Sequence, residues 1–163
     1  MEIAKKLSFN KLIKVFLIII TGSILLTISA KIKIPFYPVP MTMQTFVVLF
    51  LGIAFGYKIG VVTILLYLFE GIIGLPVFSN SPEKGVGIVY FTGPTMGYLI
   101  GFLPAVFLSG YLKLDDWTKK ENKNVEFFFI NLLKLLISVS VIYLLGIFWL
   151  SNLIGFEKAM LFG

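Results

Sequence analysis

The sequence predicts an all-α integral membrane protein in which residues 1–163 form a single membrane-embedded domain. Hydrophobic residues make up 58% of the chain and charged residues only 13%, whereas a soluble protein carries about 25% charged residues. The apolar residues occur in long continuous runs, without the alternating ten-residue segments of a membrane β-barrel. Helices satisfy every backbone polar group within such runs. We therefore expect a compact bundle of five transmembrane helices.

The five predicted spans follow one another without a domain boundary. In chain order they cover about 12–30, 42–56, 59–73, 94–112 and 127–153, with 135–153 as the most apolar part of the last. The second and third are shorter than the roughly 17–25 residues that cross a bilayer, so tilt or shielding by neighbouring helices is expected. The first span has an alternative interpretation as a signal peptide, because Lys residues precede it and Ala30 follows its apolar stretch.

The distribution of lysines predicts the orientation of the bundle. With the N-terminus inside, nine lysines lie in cytoplasmic segments and four in outer segments, which the positive-inside rule favours. We therefore expect a multi-pass protein of the bacterial inner membrane with a cytoplasmic N-terminus. Segments 31–40 and 74–90 then both lie outside, and the polar stretch 113–126 is a solvated inner loop.

The composition excludes most catalytic chemistry. The chain contains no Cys and no His, and all 14 basic residues are Lys, so thiol nucleophiles, imidazole bases and the usual metal ligands are missing. No phosphate-binding G-x-x-x-x-G-K-[ST] motif occurs. We therefore expect no enzyme activity, no cofactor and no metal. The net charge of +6 is explained by lysines that orient the chain in the membrane, so we expect no nucleic-acid partner.

The first unusual outer segment leads into the second span. Three prolines between residues 35 and 40 prevent a helix there and predict an extended, rigid approach. Thr42 and Gln44 then enter the first helical turn, where backbone N–H groups have no intrahelical partners. Thr42 is either an N-cap or a ligand contact. Gln44 is a candidate binding residue, because a carboxamide near lipid needs partners and both donates and accepts hydrogen bonds.

The second unusual outer segment follows the third span. Residues 74–90 combine glycines and prolines with more apolar side chains than a solvated loop carries, which indicates either a binding lid or simple packing onto the bundle end. Asn80 and Lys84 supply polar contacts in this segment. Glu70, at the outer half of the third span, is either a functional ionisable group or an interfacial carboxylate paired with a lysine such as Lys31 or Lys84.

Small residues recur at helical spacing in three places. Two series place a glycine at every fourth position, at 52, 56 and 60 and at 93, 97 and 101. This spacing favours close helix packing, although a turn is expected between Gly56 and Gly60. In the first span a small-residue stripe is available either for internal packing or for docking of another membrane protein. Its members are Gly22, Ser23, Thr27 and Ala30, with Ser29 beside them.

These features together predict a binding and transport protein with a capped pocket at the outer helix ends. Three blocks, Pro35–Phe46, Leu66–Phe78 and Gly93–Phe102, closely resemble the BioY family, the biotin-binding S components of energy-coupling factor (ECF) transporters. The resemblance covers about 12–155 and implies a biotin site near the outer face. It implies that Thr42, Gln44 and Tyr98 line the site and that Asn80 or Lys84 covers it. Glu70 stays a further candidate on its position in the third span alone.

The resemblance also implies partner subunits, and it shows one difference between this sequence and the family pattern. It implies a coupling transmembrane subunit and two ATP-binding subunits, with the stripe of the first span as the docking surface. The family pattern has a sixth helix that begins with Pro-Gly-Asp, and this sequence stops at Gly163, where that helix is expected. Two alternatives remain open at this point: an S component for another small vitamin, and a non-transporting membrane assembly subunit.

Overall fold

The computed structural model describes residues 2–112 and 125–163. The prediction of a solvated inner loop at 113–126 therefore falls outside the described residues, apart from its last two, which begin a helix. The elements in chain order are α1 (Glu2–Lys31), β1 (Lys33–Ile34), β2 (Met41–Thr42), α2 (Gln44–Ile72), a 3₁₀ helix (Gly87–Thr92), α3 (Met96–Tyr111), α4 (Val125–Ile154) and α5 (Phe156–Phe162). The predicted all-α bundle is confirmed.

α2 is a helical hairpin whose two halves, 44–55 and 57–72, run in opposite directions. Gly56 separates them with φ +78° and ψ 164°, a backbone conformation that is essentially restricted to glycine. The Gln44 Nε2 and Tyr67 Oη atoms lie 2.7 Å apart, although 23 residues of continuous helix would separate them by about 35 Å. The two halves are thus the second and third predicted spans, and the predicted turn lies at Gly56.

Glycines bring the helix backbones into close contact. A methyl group built at Gly60 would lie 3.5 Å from the Gly52 Cα, across the α2 hairpin. The same construction at Gly101 would lie 2.9 Å from the Ile142 Cα of α4, and at Gly97 it would lie 3.0 Å from the Gly146 Cα. The predicted packing role of both glycine series is confirmed for these positions, because larger residues would force the helices apart.

The small-residue stripe of α1 faces the inside of the bundle. Ser23 and Ala30 are almost completely buried, and a methyl group at Gly22 would lie 2.7 Å from the Thr63 side chain of α2. Thr27 is half-buried and donates a hydrogen bond to the Ser23 carbonyl oxygen. The structure therefore favours internal packing for Gly22, Ser23, Thr27 and Ala30 over the docking surface that the resemblance implied, because Gly22 and Ser23 contact α2, Ala30 is buried and Thr27 is half-buried.

The helices have the length and apolar character that a membrane requires. Among the described residues, Phe9–Lys31, Gln44–Ile72 and Phe128–Ile154 are long and apolar enough to cross a bilayer, and Met96–Tyr111 is a shorter apolar helix. Since Gln44–Ile72 folds back on itself at Gly56, its halves correspond to the second and third predicted spans, and each is shorter than the roughly 17–25 residues of a straight crossing. Large apolar side chains such as Phe16, Phe46 and Phe148 are mostly exposed, as expected for surfaces that contact lipid tails.

α5 is an element that the sequence did not predict. Gly155 interrupts the chain with φ +86° and ψ 154°, and the seven-residue helix that follows packs against α4. A methyl group at Gly163 would lie 2.9 Å from both the Ile147 Cγ1 and the Tyr98 Oη. α5 therefore turns back along α4 toward the inside of the bundle.

Replacement of Gly52 by valine is expected to destabilise the protein. A Cβ atom there would overlap the Ser109 side chain and lie 2.6 Å from the Val106 carbonyl oxygen of α3, and a backbone oxygen cannot rotate away. Forced overpacking of this kind costs about 1–3 kcal/mol. The measurement is the thermal unfolding midpoint in detergent. Ala54→Val, at an exposed position of the same helix, is the matched control, and an equal effect of both substitutions would contradict the proposed close contact.

Candidate functional site

A cavity of about 290 Å³ lies where the β1–β2 hairpin, the outer ends of the helices and the segment after α2 converge. Its volume is close to the lower end of the roughly 300–1,000 Å³ range of small-molecule sites. The lining residues are Phe36, Tyr37, Val39, Pro40, Met41, Thr42, Gln44, Thr45, Ser79, Tyr90, Thr95, Tyr98, Leu99, Phe102, Ile142, Tyr143, Leu161, Phe162 and Gly163.

The β1–β2 hairpin forms one wall of the cavity. Lys33 pairs with Thr42 and Ile34 pairs with Met41 in an antiparallel register. The proline-rich connection between the strands carries the lining residues Phe36, Tyr37, Val39 and Pro40. Pro38 and Pro40 are buried. The extended approach that the prolines predict is thus present, and it takes the form of a short hairpin folded over the start of α2.

Gln44 is the centre of a hydrogen-bonded chain beneath the hairpin. Its Nε2 atom donates to the Tyr67 hydroxyl at 2.7 Å, and that hydroxyl donates to the Val77 carbonyl oxygen at 3.1 Å. Gln44 is only 4% exposed, yet it lines the cavity. The Thr42 hydroxyl lies 3.4 Å from both the Gln44 backbone nitrogen and the Gln44 Oε1. The N-cap of α2 is Met43, and no side chain caps the helix, so the N-cap interpretation of Thr42 is wrong. Thr42 lines the cavity, and its role as a ligand contact stays a prediction.

The segment 73–95, called the cap loop below, is fixed to the bundle by an aromatic cluster. The Phe78 ring occupies a slot over Gly71, where any Cβ atom would overlap the ring. It stacks on Tyr90 with centroids 4.7 Å apart and meets Tyr67 edge-on at 5.4 Å. The Trp149 Nε1 atom of α4 donates to the Gly93 carbonyl oxygen at 2.9 Å. The cap loop both packs on the bundle end and contributes Ser79 and Tyr90 to the cavity.

Tyr98 carries a hydroxyl group that lacks a hydrogen-bond partner among residues 2–112 and 125–163. Its ring lies over Gly146, where a Cβ atom would overlap it, and its ring centroid is 6.1 Å from that of Tyr143. The Tyr98 Oη atom is buried and makes no hydrogen bond to any described residue. A buried hydroxyl without a partner costs about 1–3 kcal/mol. Because Tyr98 lines the cavity, a ligand group is the natural partner for this atom.

The structure brings most of the predicted site residues to one end of the bundle. Thr42, Gln44 and Tyr98 line the cavity. Asn80, next to the lining residue Ser79, accepts a hydrogen bond at 2.9 Å from Lys33 Nζ. Lys84 places its Nζ atom 5.9 Å from the ring centroid of Tyr37, which is itself a lining residue. Asn80 and Lys84 therefore lie at the rim, and their roles as ligand contacts stay predictions.

Glu70 does not line the cavity. Its carboxylate accepts a hydrogen bond from the Ser23 hydroxyl of α1, so it joins α1 to the second half of α2. Lys31, one of the lysines expected to pair with it, instead donates to the carbonyl oxygens of Phe78 and Ser81. The structure thus separates Glu70 from the other substrate-binding candidates, since it lies on the face of α2 that packs against α1.

Several cavity residues could not be singled out from the sequence. Ser79, Thr95 and Tyr143 are ordinary polar or aromatic residues in apolar surroundings, without a spacing that marks them. Leu161 and Phe162 enter the cavity only because α5 turns back at Gly155. A glycine that follows a long apolar helix is the one available signal for that turn.

The cavity is neutral and mixed in polarity. None of its described lining side chains is charged, and the polar ones are hydroxyls and the single carboxamide of Gln44. Two lysines contact lining residues from outside the cavity. Lys33 Nζ donates to the Ser79 carbonyl oxygen at 2.9 Å, and Lys84 Nζ lies 5.9 Å from the Tyr37 ring centroid. Among the described residues, no cluster of three or more potential metal ligands is present. The arrangement suits a small ligand with an apolar body and neutral hydrogen-bonding groups.

Comparison with known proteins identifies a family. The model of the BioY family matches residues 4–163. The probable biotin transporter BioY of Pyrococcus horikoshii is 34% identical over 139 residues, which cover 85% of this chain and 75% of that protein. The biotin transporter BioY of Thermotoga maritima is 38% identical over 127 residues, which cover 78% and 68% respectively.

A solved structure is also similar to this chain. It is the crystal structure of the S-component for biotin from an ECF-type ABC transporter, with a TM-score of 0.72 and 26% identity. The alignment covers 94% of this chain and 82% of that one.

Thiol labelling is expected to place the cavity rim and the Gly56 turn on opposite sides of the membrane. The natural chain has no cysteine, so Lys84→Cys, Phe36→Cys and Lys58→Cys each introduce a single thiol. A membrane-impermeant maleimide added to one side of sealed vesicles should label Lys84→Cys and Phe36→Cys together, and Lys58→Cys only from the other side. Labelling of Lys84→Cys and Phe36→Cys from different sides would contradict a shared mouth.

Proposed function

The chain belongs to the BioY family, and from this premise we propose that it is the membrane-embedded substrate-binding (S) component of a biotin uptake system. In this proposal it captures biotin at the outer mouth of the bundle and delivers it inward. The protein lies in the inner membrane of a bacterial cell with its N-terminus in the cytoplasm, an orientation that the lysine distribution supports.

The chemistry of biotin matches the chemistry of the cavity. Biotin combines a ureido group, which donates and accepts hydrogen bonds, with an apolar ring and tail and a terminal carboxylate. Gln44 retains one N–H and most of its carbonyl capacity after bonding to Tyr67, so it can meet the ureido group together with Thr42. The rings of Phe36, Tyr37 and Phe102 supply apolar walls. Lys84, at the rim, is the proposed counter-ion for the carboxylate.

The observation that carries the proposal is the buried hydroxyl of the cavity-lining residue Tyr98, which has no hydrogen-bond partner among the described residues. Folded proteins rarely leave such a group unsatisfied, and when they do a ligand or an unseen water is the usual explanation. The group is neutral and both donates and accepts. It therefore supports a ligand with uncharged polar atoms, as the ureido group of biotin has.

The chain needs partners to drive transport. It has no phosphate-binding loop for ATP, so energy would come from separate subunits: a coupling transmembrane subunit and two ATP-binding subunits. Because Gly22 and Ser23 of the α1 stripe are buried against α2, we place the docking of the coupling subunit on other residues. We propose no cofactor, because biotin is the transported ligand.

Binding and uptake together test the proposal. The purified chain in lipid nanodiscs should bind labelled biotin saturably, and unlabelled biotin should displace it while other small vitamins should not. Cells that express the gene with a coupling module should accumulate biotin. Displacement by another vitamin alone would indicate a different substrate, and binding of none would favour a membrane assembly role; either result would overturn the proposal.

Tyr98→Phe is expected to weaken biotin binding without destabilising the protein. The hydroxyl makes no hydrogen bond to the described residues, so its removal costs the empty protein nothing and relieves an unsatisfied group. With biotin bound, one hydrogen bond is lost, which corresponds to about a three- to tenfold rise in Kd. The measurements are Kd by isothermal calorimetry and the thermal midpoint without ligand. A fall in the midpoint with unchanged Kd would contradict a ligand-directed hydroxyl.

Gln44→Ala is expected to weaken binding more than Tyr67→Phe does. Both substitutions remove the 2.7 Å hydrogen bond between these side chains, but only the first also removes a cavity-lining carboxamide. We expect a rise in Kd of at least about tenfold for Gln44→Ala and a smaller rise for Tyr67→Phe. Phe46→Ala, at an exposed position of the same helix, serves as the control. Equal losses in the first two variants would show that Gln44 acts only through Tyr67.

A further inference from the structure

We propose that Lys31 and Lys33 form a clasp that holds residues 78–81 of the cap loop over the cavity, and that this clasp sets how long a ligand stays bound. Neither lysine lines the cavity, so both are positioning residues that act through the cap loop. The part of the proposal that concerns biotin rests on the proposed function. The structural part does not.

The two ammonium groups bind four successive residues of the cap loop. Lys31 Nζ donates to the carbonyl oxygens of Phe78 at 2.7 Å and Ser81 at 2.8 Å. Lys33 Nζ donates to the carbonyl oxygen of Ser79 at 2.9 Å and to the Asn80 Oδ1 at 2.9 Å. An ammonium group has three N–H donors, so each lysine uses most of its capacity on this one segment.

The carbonyl groups in this segment have few alternative partners. Within the described part of the chain, no backbone N–H donates to the carbonyl oxygens of Ser79 or Ser81. Apart from the bond from Lys31, the Phe78 carbonyl oxygen accepts a 3.2 Å bond from the Ser81 backbone N–H and a 2.8 Å bond from the Ser81 hydroxyl, both from within the segment. These residues are buried or nearly so. Hydrogen bonds from a charged donor are roughly twice as strong as neutral ones, so the lysines are the main polar attachment of this segment.

The position of the lysines in the chain explains why they meet this segment. Lys31 is the last residue of α1, and Lys33 lies directly opposite Thr42 in the β1–β2 hairpin. The clasp therefore ties the hairpin, which carries one wall of the cavity, to the segment that contributes Ser79. Loss of either lysine would loosen residues 79–81 from the hairpin while the Phe78 ring still holds the cap loop over Gly71, and this local movement would open the mouth of the cavity.

Kinetics should distinguish a clasp from a ligand contact. A cap that opens more often lets a bound ligand leave faster and a free ligand enter at least as fast. Lys31→Met and Lys33→Met keep the apolar stem and remove the donors. We expect each to raise the dissociation rate of biotin by about tenfold without lowering the association rate.

A second readout needs no ligand. Hydrogen exchange of the Ser81 and Lys84 amides, which donate to the carbonyl oxygens of Phe78 and Asn80, reports opening of the cap loop. In the empty protein both lysine variants should raise exchange there by about tenfold, while peptides of α3 and α4 stay unchanged. Lys158→Met, an exposed lysine of α5 whose side chain makes no hydrogen bond to the described residues, is the control and should match the natural chain in both readouts.

The outcomes separate the clasp from the proposed function. Unchanged exchange in both variants would overturn the clasp. Faster exchange together with no biotin binding by the natural chain would support the clasp and overturn the proposed function. Faster exchange with normal biotin dissociation would overturn the role in ligand retention. Exchange that rises equally in α3 and α4 would indicate general unfolding and would also overturn the clasp.

Discussion

The hydrogen-bonded chain from Gln44 through Tyr67 to the Val77 carbonyl oxygen is the interaction on which the outer end of the molecule depends. It joins the start of α2, the end of α2 and the beginning of the cap loop within two bonds of 2.7 and 3.1 Å. In an apolar bundle an unpaired carboxamide or phenol is costly. The helical hairpin is therefore held at its open end by polar atoms, while Gly56 closes the other end.

Two further glycines allow aromatic rings to lie directly against the helix backbone. Phe78 lies over Gly71 and Tyr98 lies over Gly146, so one ring fixes the cap loop and the other forms a wall of the cavity. Tyr98 lines the cavity, and its buried hydroxyl has no hydrogen-bond partner in the described part of the chain.

Charge is kept out of the cavity and placed at its edge. The described lining side chains are uncharged, and Lys31, Lys33 and Lys84 all belong to the mouth. A neutral interior avoids the cost of desolvating an ion when the site is empty. An acidic group of a ligand would then stay near the rim, where water and lysines meet it, and the neutral part would enter. This division suits a vitamin that has a polar ring at one end and a carboxylate at the other.

The sequence by itself determined the membrane class, the positions of five helical segments, the turn at Gly56 and the end of the bundle where the unusual residues gather. These features follow from local composition, since apolar run length and glycine or proline placement act over a few residues. Only the tertiary structure decided that Glu70 bonds to Ser23, that the α1 stripe packs inward, and that α5 turns back into the cavity. It also decided that Lys31 binds the cap loop. The contacts of Glu70, the α1 stripe and Lys31 join residues more than 40 positions apart, and the path of α5 depends on the turn at Gly155. Neither hydropathy nor residue spacing encodes such pairings.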